Sequence, residues 1–436
     1  MQMNDMVIVS VDDHIIEPPG IFDRTLPARW QDRAPRFVDS HGSEGAYWTF
    51  EGTRVTNFAL NAVAGRPREE LGFEPDSYDQ IRKGCWEVNA RVDDMNVNGV
   101  LSALCFGSFT GFAGEIWTRA QDKELSLACL KAYNDWHIDE WCGAHPGRFI
   151  PLAQLPMWDP NLCAEEVRRV ARKGATAVTF IGLPQQLGLP SVHTQAWDPL
   201  FAACQEENVA MCLHIGAAPL ASLDSPVDSY LSQVGISSFM TASEWLWSHS
   251  VRRFPNMKIV LSEGGIGWIP YFLERADQVF ENHGPWTRNT DFGGVKPSEY
   301  FRKRFFSCFI VDRTGLKHRH EVGIDTITFE NDYPHADITW PKSPEQLWAD
   351  FQAAGCTDEE IEKITHLTAM RALNVDPIAR LGGRANCTVG ALRAKATHVD
   401  LTELRNVGGI PPAPPGRTPT MADIARQFPT VKAANG

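Results

Sequence analysis

Four short stretches of the sequence gather residues that can hold a metal ion or move a proton. Val11-Asp12-Asp13-His14 offers a carboxylate and an imidazole two positions apart. Alternate side chains of a strand share a face, so Asp12 and His14 can reach one ion. Alone, the triplet equally suits a capping Asp beside a surface His. Met211-Cys212-Leu213-His214 places a polar His at the end of an apolar run, where a hydrogen-bonded core imidazole is the other reading. Ser262-Glu263-Gly264-Gly265 leads an acid into a glycine pair, and a Glu beside a helix N-terminus would look the same. Phe329-Glu330-Asn331-Asp332-Tyr333-Pro334-His335 follows an apolar run with an acid, an amide, an acid and an imidazole. An Asn-Asp turn is the alternative there. Taken together, these stretches predict one carboxylate–imidazole cluster of Asp12, His14, His214 and Asp332, with Glu263 and His335 beside it. Mixed nitrogen and oxygen donors suit zinc, manganese or iron.

Something must bring these stretches to one place. Eight short apolar runs alternate with helical patterns: 7–11, 100–106, 149–152, 177–181, 210–215, 259–262, 304–310 and 326–330. Helical periodicity fills the gaps at 122–142, 160–173, 199–207, 239–254, 269–283 and 343–355. Asp159-Pro160 reads as a helix start and Lys173-Gly174 as a helix end. Eight such units predict an α/β fold, a (β/α)8 TIM barrel whose active groups follow the strands. A doubly wound sheet is the alternative, but no G-x-G-x-x-G follows the first strand. The predicted division is a barrel over 1–378, an insertion of about 19–95 after the first strand, and a C-terminal extension or arm over 379–436. Ile410–Pro415 reads as a polyproline-like run within that arm.

The chain has 436 residues, 43% apolar and 22% charged, and a net charge of −13. That balance argues against a nucleic-acid or membrane-surface binder. No run of 18 apolar residues and no basic-then-apolar leader stands in the sequence, so a cytoplasmic protein is expected. Ten scattered cysteines with no C-x-x-C pair predict buried free thiols.

The four motifs as a set resemble the amidohydrolase superfamily, in the branch that includes aminocarboxymuconate semialdehyde decarboxylase and the resorcylate and vanillate-type decarboxylases. The resemblance runs from about Val7 to Ala372. It implies a distorted barrel with one divalent metal, held by Asp12, His14, His214 and Asp332, and non-oxidative lyase or hydrolase chemistry. The decarboxylases of this branch usually carry a catalytic His after strand 6, where this chain has Glu263. A carboxylate in place of that imidazole changes the chemistry available. The fourth strand, Val178-Thr179-Phe180-Ile181, lacks the lysine that bridges two metals in dinuclear relatives, so one ion is expected.

The resulting expectation is a metal-dependent decarboxylase or hydrolase of a small carboxylated, possibly aromatic, substrate. Asp332, Glu263 and His335 are the expected acid–base groups. Zinc is the first choice of metal, with manganese or iron as alternatives. Arg66 and Arg68 are expected to clamp a carboxylate, although a solvated loop would read alike. Trp268 and Trp340, with Trp48 and Trp86, could wall an apolar substrate, although core packing accounts for any one of them. Two other classes stay open: an oxygenase using a two-His-one-carboxylate iron or manganese site, and a non-catalytic barrel subunit of a complex. A homodimer is expected, and a hetero-oligomer is left open.

Overall fold

The computed structural model describes residues 1–39, 45–72, 75–216, 221–408 and 416–425. The Ile410–Pro415 run lies outside the described residues.

Each of the eight apolar runs forms a parallel strand. They are β1 (Val9–Ile15), β2 (Ser102–Gly107), β3 (Phe149–Ile150 and Leu152–Ala153), β4 (Ala177–Ile181), β5 (Ala210–His214), β6 (Ile259–Ser262), β7 (Phe305–Phe309) and β8 (Ile327–Phe329). The hydrogen-bonded order runs from the first half of β3 through β2, β1, β8, β7, β6, β5 and β4 to the second half of β3. The two ends of the sheet are therefore one strand interrupted at Pro151, a residue with no N–H to give to a ladder. The Pro151 carbonyl still accepts from Thr176 N on the β4 side, and Ala103 N of β2 donates to the Arg148 carbonyl. The sheet closes on itself as an eight-stranded barrel.

Barrel strands are buried on both faces, which is why they read as continuous apolar runs. One parity fills the lumen: Val9, Val11, Leu104, Phe106, Ile150, Leu152, Ala177, Ala210, Cys212, Val260, Phe306 and Cys308 pack as one cluster. Ala369, Ala372 and Leu373, from the helix Thr368–Leu373, join this cluster. The other parity, including Ile8, Ala103, Met211, Leu213, Ile259 and Leu261, packs against the outer helices.

One irregularity decides where the chemistry goes. The pairing of β1 with β2 runs Val9–Ser102 and Ser10–Ala103, then resumes one residue out of step at Asp13–Cys105 and His14–Phe106. A β-bulge of one residue therefore sits at Val11–Asp12. It switches the lumen parity from odd (Val9, Val11) to even (Asp12, His14). Asp13 faces outward instead and meets Arg91.

The segment after β1 carries a small antiparallel sheet, Arg36–Val38, Tyr47–Phe50 and Thr53–Val55, and returns through the helix Val88–Val97. Trp48 of this sheet is buried and stacks on Phe109, with ring centres 4.3 Å apart. Glu17, just past β1, is locked by Ser108 N and Phe109 N and by the Tyr133 hydroxyl. This lock fits around Gly107, where a Cβ would lie 2.3 Å from Tyr133 Oη and 2.7 Å from Glu17 Oε1. Gly107→Ala is expected to cost about 1–3 kcal/mol by overpacking, read as a lower midpoint in a denaturant melt.

All ten cysteines are free, and all but Cys356 are buried. Among the described residues, no helix is long and apolar enough to cross a membrane.

Candidate metal centre

The ends of β1, β5, β6 and β8 converge at the C-terminal mouth of the barrel. The bulge turns Asp12 and His14 inward. His214 ends β5 in the same parity as the lumen residues Ala210 and Cys212. Strand β8 ends at Phe329, so Glu330 is the next lumen position and Asp332 the one after it. β1 and β8 remain joined beyond their ladder: Asp332 N donates to the Asp12 carbonyl and His14 N to the Tyr333 carbonyl, both at 2.7 Å. Glu263 follows the outward-facing Leu261 by two residues, and regular alternation would turn it out of the lumen. Its backbone adopts φ 58°, the left-handed region, which breaks that alternation. Glu330 Oε2 accepts from Glu263 N at 2.8 Å and from the Cys308 thiol at 2.6 Å, and so fixes this turn from below.

The side chains meet closely. His14 Nε2 lies 3.2 Å from Asp332 Oδ1 and 3.5 Å from Asp12 Oδ1. His214 Nε2 lies 3.4 Å from His14 Nε2, 3.5 Å from Asp12 Oδ2 and 3.3 Å from Glu263 Oε2. His335 Nδ1 lies 2.8 Å from Asp332 Oδ1, and the His335 ring stacks against His14 with centres 3.9 Å apart. His214 Nδ1 sits 2.9 Å from the Ile215 carbonyl. That contact places the proton on Nδ1 and leaves the Nε2 lone pair facing the cluster. Phe112 covers both imidazoles, 4.7 Å from His14 and 4.2 Å from His214.

Electrostatics make this arrangement costly without a cation. Burial, then the charges of Glu330, Asp332 and Glu263, pushes the Asp12 carboxyl well above its usual range. Burial, then Asp332 and Glu330, raises Glu263. Burial pushes Glu330 up to about 8. For Asp332 burial acts in the same upward direction, but His335 and His14 outweigh it and hold the carboxyl below the usual carboxylate range. Burial, then His335, lowers His14, and burial takes His214 down to about 4. Both imidazoles are thus neutral, the form that ligates metal.

A divalent ion fits these residues. The oxygens of Asp12 and Asp332 are buried and accept no well-formed hydrogen bond. Asp12, His14 and His214 form one set with donor atoms within 4.8 Å of one another, and His14, Glu263, Asp332 and His335 form a second. Buried carboxylates left without donors are costly unless an ion satisfies them.

The metal-free protein should be sensitive to pH. The unfolded chain releases the Glu330 proton near 4.5 and the folded chain near 8. Between these values the folded state binds more protons, so its stability falls as pH rises. Thermal melts of chelated protein are expected to show a midpoint that drops from pH 5 to pH 8. Divalent metal should abolish the drop.

Residues 56–375 match the amidohydrolase family model. The chain belongs to the amidohydrolase family. A 2-amino-3-carboxymuconate-6-semialdehyde decarboxylase from Dictyostelium discoideum is 24% identical over 268 residues, 59% of this chain and 69% of the relative. A gamma-resorcylate decarboxylase from Polaromonas sp. is 25% identical over 291 residues, 62% of this chain and 84% of the relative. The 5-carboxyvanillate decarboxylase of Novosphingobium aromaticivorans was solved with manganese and 4-hydroxy-3-methoxy-5-nitrobenzoic acid. It aligns over 86% of this amidohydrolase and 100% of its own chain, with a TM-score of 0.59 and 16% identity.

The six acid and imidazole residues expected from the sequence of this amidohydrolase thus meet at one point; of the four expected substrate-binding side chains, Arg66, Trp268 and Trp340 make contacts within the protein and Arg68 is exposed. Arg66 donates to the carbonyls of Gln80 and Glu70. Arg68 is exposed on the turn Arg68–Glu70. Trp268 Nε1 donates to the Gly264 and Gly265 carbonyls, pinning the loop behind Glu263. Trp340 donates to the Asp94 carbonyl and lies under Arg82, 4.4 Å away. Sequence reasoning did not assign Phe112, Arg91 or a role for Glu330. For Glu330 a signal existed, because Thr328 and Glu330 share a strand face with Asp332.

Proposed function

We propose that this amidohydrolase is a divalent-metal-dependent, non-oxidative decarboxylase of a small aromatic carboxylate. The observation that carries the reading is Phe112, an aromatic wall laid over His14 and His214 beside the buried Asp12 carboxylate, which accepts no hydrogen bond. Decarboxylases among the relatives support it, and the manganese of one solved relative brings that metal level with the zinc expected from the donor types. Asp12, His14, His214 and Asp332 would hold the ion, which when bound supplies Lewis acidity to a substrate oxygen.

The side chains divide the remaining work. Phe112 packs directly on both imidazoles, keeps them in place and excludes water from that face. Asp332, held ionised by His14 and His335, fixes both rings. Glu263, whose carboxyl burial and the charges of Asp332 and Glu330 push upward, is the group placed to donate a proton. As the bond from ring to carboxyl breaks, carbon dioxide leaves and the electron pair stays on the ring carbon. The Glu263 proton forms the new C–H bond, and solvent reprotonates Glu263. A hydrolytic role is the second reading, favoured by Glu263 standing where the decarboxylases carry a His: an ionised Glu263 would take a proton from water.

One experiment separates the two. Metal-loaded enzyme is offered hydroxybenzoates, and separately aryl amides and lactones, in deuterium oxide. Carbon dioxide release with one deuterium at the vacated ring carbon supports decarboxylation. Acyl cleavage without carbon dioxide moves the assignment to hydrolysis. Protein carrying one metal per chain that turns over neither class defeats both. We also propose a homodimer: Leu231, Ile236, Met240 and Tyr271 leave apolar surface exposed, and a monomer mass by light scattering would overturn it.

A further inference from the structure

One side of the barrel mouth is covered by chain that the metal set does not use. Beyond His214, the helices Val227–Leu231 and Val234–Trp247 pass over the loop that follows β6. The approach is close. A Cβ on Gly264 would lie 2.3 Å from Ser238 Oγ, and one on Gly235 would lie 3.0 Å from the Gly264 carbonyl oxygen. Glycine at both positions admits the contact, directly beside Glu263. Tyr230 stands on this covering segment, half-buried, and both burial and the Glu263 charge hold the proton on its phenol.

The covering segment is tied down by the other end of the protein. Pro226 and Thr420 form an antiparallel bridge. Val227 N donates to the Pro419 carbonyl at 3.1 Å, Met421 N to Ser225 at 2.9 Å and Ala422 N to Leu223 at 2.7 Å. Ile424 is buried. Asp423 accepts from Thr420 N and Oγ1 and from Arg417, which closes the segment into a compact turn. The C-terminal chain approaches from the opposite end of the barrel: Val389 N donates to the Met6 carbonyl, Leu404 N to Gly65, and Asn406 N to the Glu70 carboxylate.

We propose that the covering segment 227–247, which carries Tyr230, walls the Glu263 side of the barrel mouth and that Thr420–Ile424 is the clamp that holds it there, so that the C-terminal segment gates access to the metal-binding set. The gate relies on the proposed function only for what it guards.

Two variants of the full chain test it. Ile424→Asp puts a charge into the clamp, and Tyr230→Ala trims the wall with the clamp intact. Ile424→Asp is expected to speed amide hydrogen exchange at Val227, Met421 and Ala422 at least about tenfold, because those amides lose their partners. Both variants should bind metal at the wild-type stoichiometry and release it to dipicolinate several-fold faster. Unchanged exchange in Ile424→Asp overturns the clamp. Wild-type stripping rates in both variants overturn the gate, even where exchange rises. The exchange measurement needs neither metal nor substrate, so it decides the clamp even if the metal site itself proves wrong.

Discussion

Asp332→Asn is expected to abolish metal binding and lower turnover by roughly a thousandfold or more, while leaving the barrel folded. The substitution keeps the size and the backbone contact to Asp12 but removes the charge that faces His14 and His335. Asn offers one neutral oxygen where Asp offers two anionic ones, and the ion loses a ligand it cannot replace from solvent without opening the site. The apo protein should melt somewhat lower, because the folded state favours this charge: His335 and His14 hold the Asp332 carboxyl below its usual range. Its removal also relieves Asp12, Glu263 and Glu330, whose carboxyls the Asp332 charge raises, so the loss should be small enough to leave the barrel folded. Elemental analysis beside a thermal melt reads both quantities. A variant with one metal per chain and wild-type turnover would remove Asp332 from the centre.

Arg91→Met should destabilise the whole protein by about 3–5 kcal/mol, the cost of stranding a buried charge. Arg91 is fully buried. Its Nη1 lies 3.7 Å from Asp13 Oδ2, its Nε donates to the Gly84 carbonyl at 2.5 Å, and its Nη2 donates to the His14 carbonyl. The guanidinium also lies 4.4 Å from the Tyr333 ring centre. Methionine fills much of the volume but leaves Asp13, already pushed up to about 7 by burial, with no counter-charge. The His14 backbone loses its tether at the same time, so metal affinity should fall with stability. Asp13→Asn added to Arg91→Met is expected to recover a substantial part of the loss, because it removes the stranded charge. Denaturant melts of the two single variants and the double variant decide the matter. An Arg91→Met midpoint within about 0.5 kcal/mol of wild type would show that the pair is unimportant.

The barrel could be read from the sequence because its strands are apolar on both faces and bounded by helices with clear starts and stops. Asp12, His14, His214 and Asp332 could be read because each is a polar residue at the end of such a run. What escaped is set by backbone geometry. The bulge at Val11–Asp12 leaves no compositional trace, and neither does the left-handed turn that redirects Glu263. Arg91 lies on a helix far from His14 in sequence, with no periodicity to mark a partner on β1. Arg66 and Arg68 illustrate the converse: an arginine in an irregular loop advertises charge but not direction, and Arg66 spends its donors on carbonyls.

The bulge in β1 stores one residue more than pairing with β2 requires. Another apolar side chain at Val11 would leave the frame of the ligands intact. Taking one residue out there would bring Asp12 opposite Leu104 and keep Asp13 opposite Cys105 and His14 opposite Phe106, so both ligands would still face the lumen. Straightening the strand at its present length would instead put Asp13 opposite Phe106, in the lumen, and turn His14 outward. Homologous chains that preserve this centre should therefore either keep the bulge or be one residue shorter at that point, and a single-residue alignment gap there is compatible with the metal.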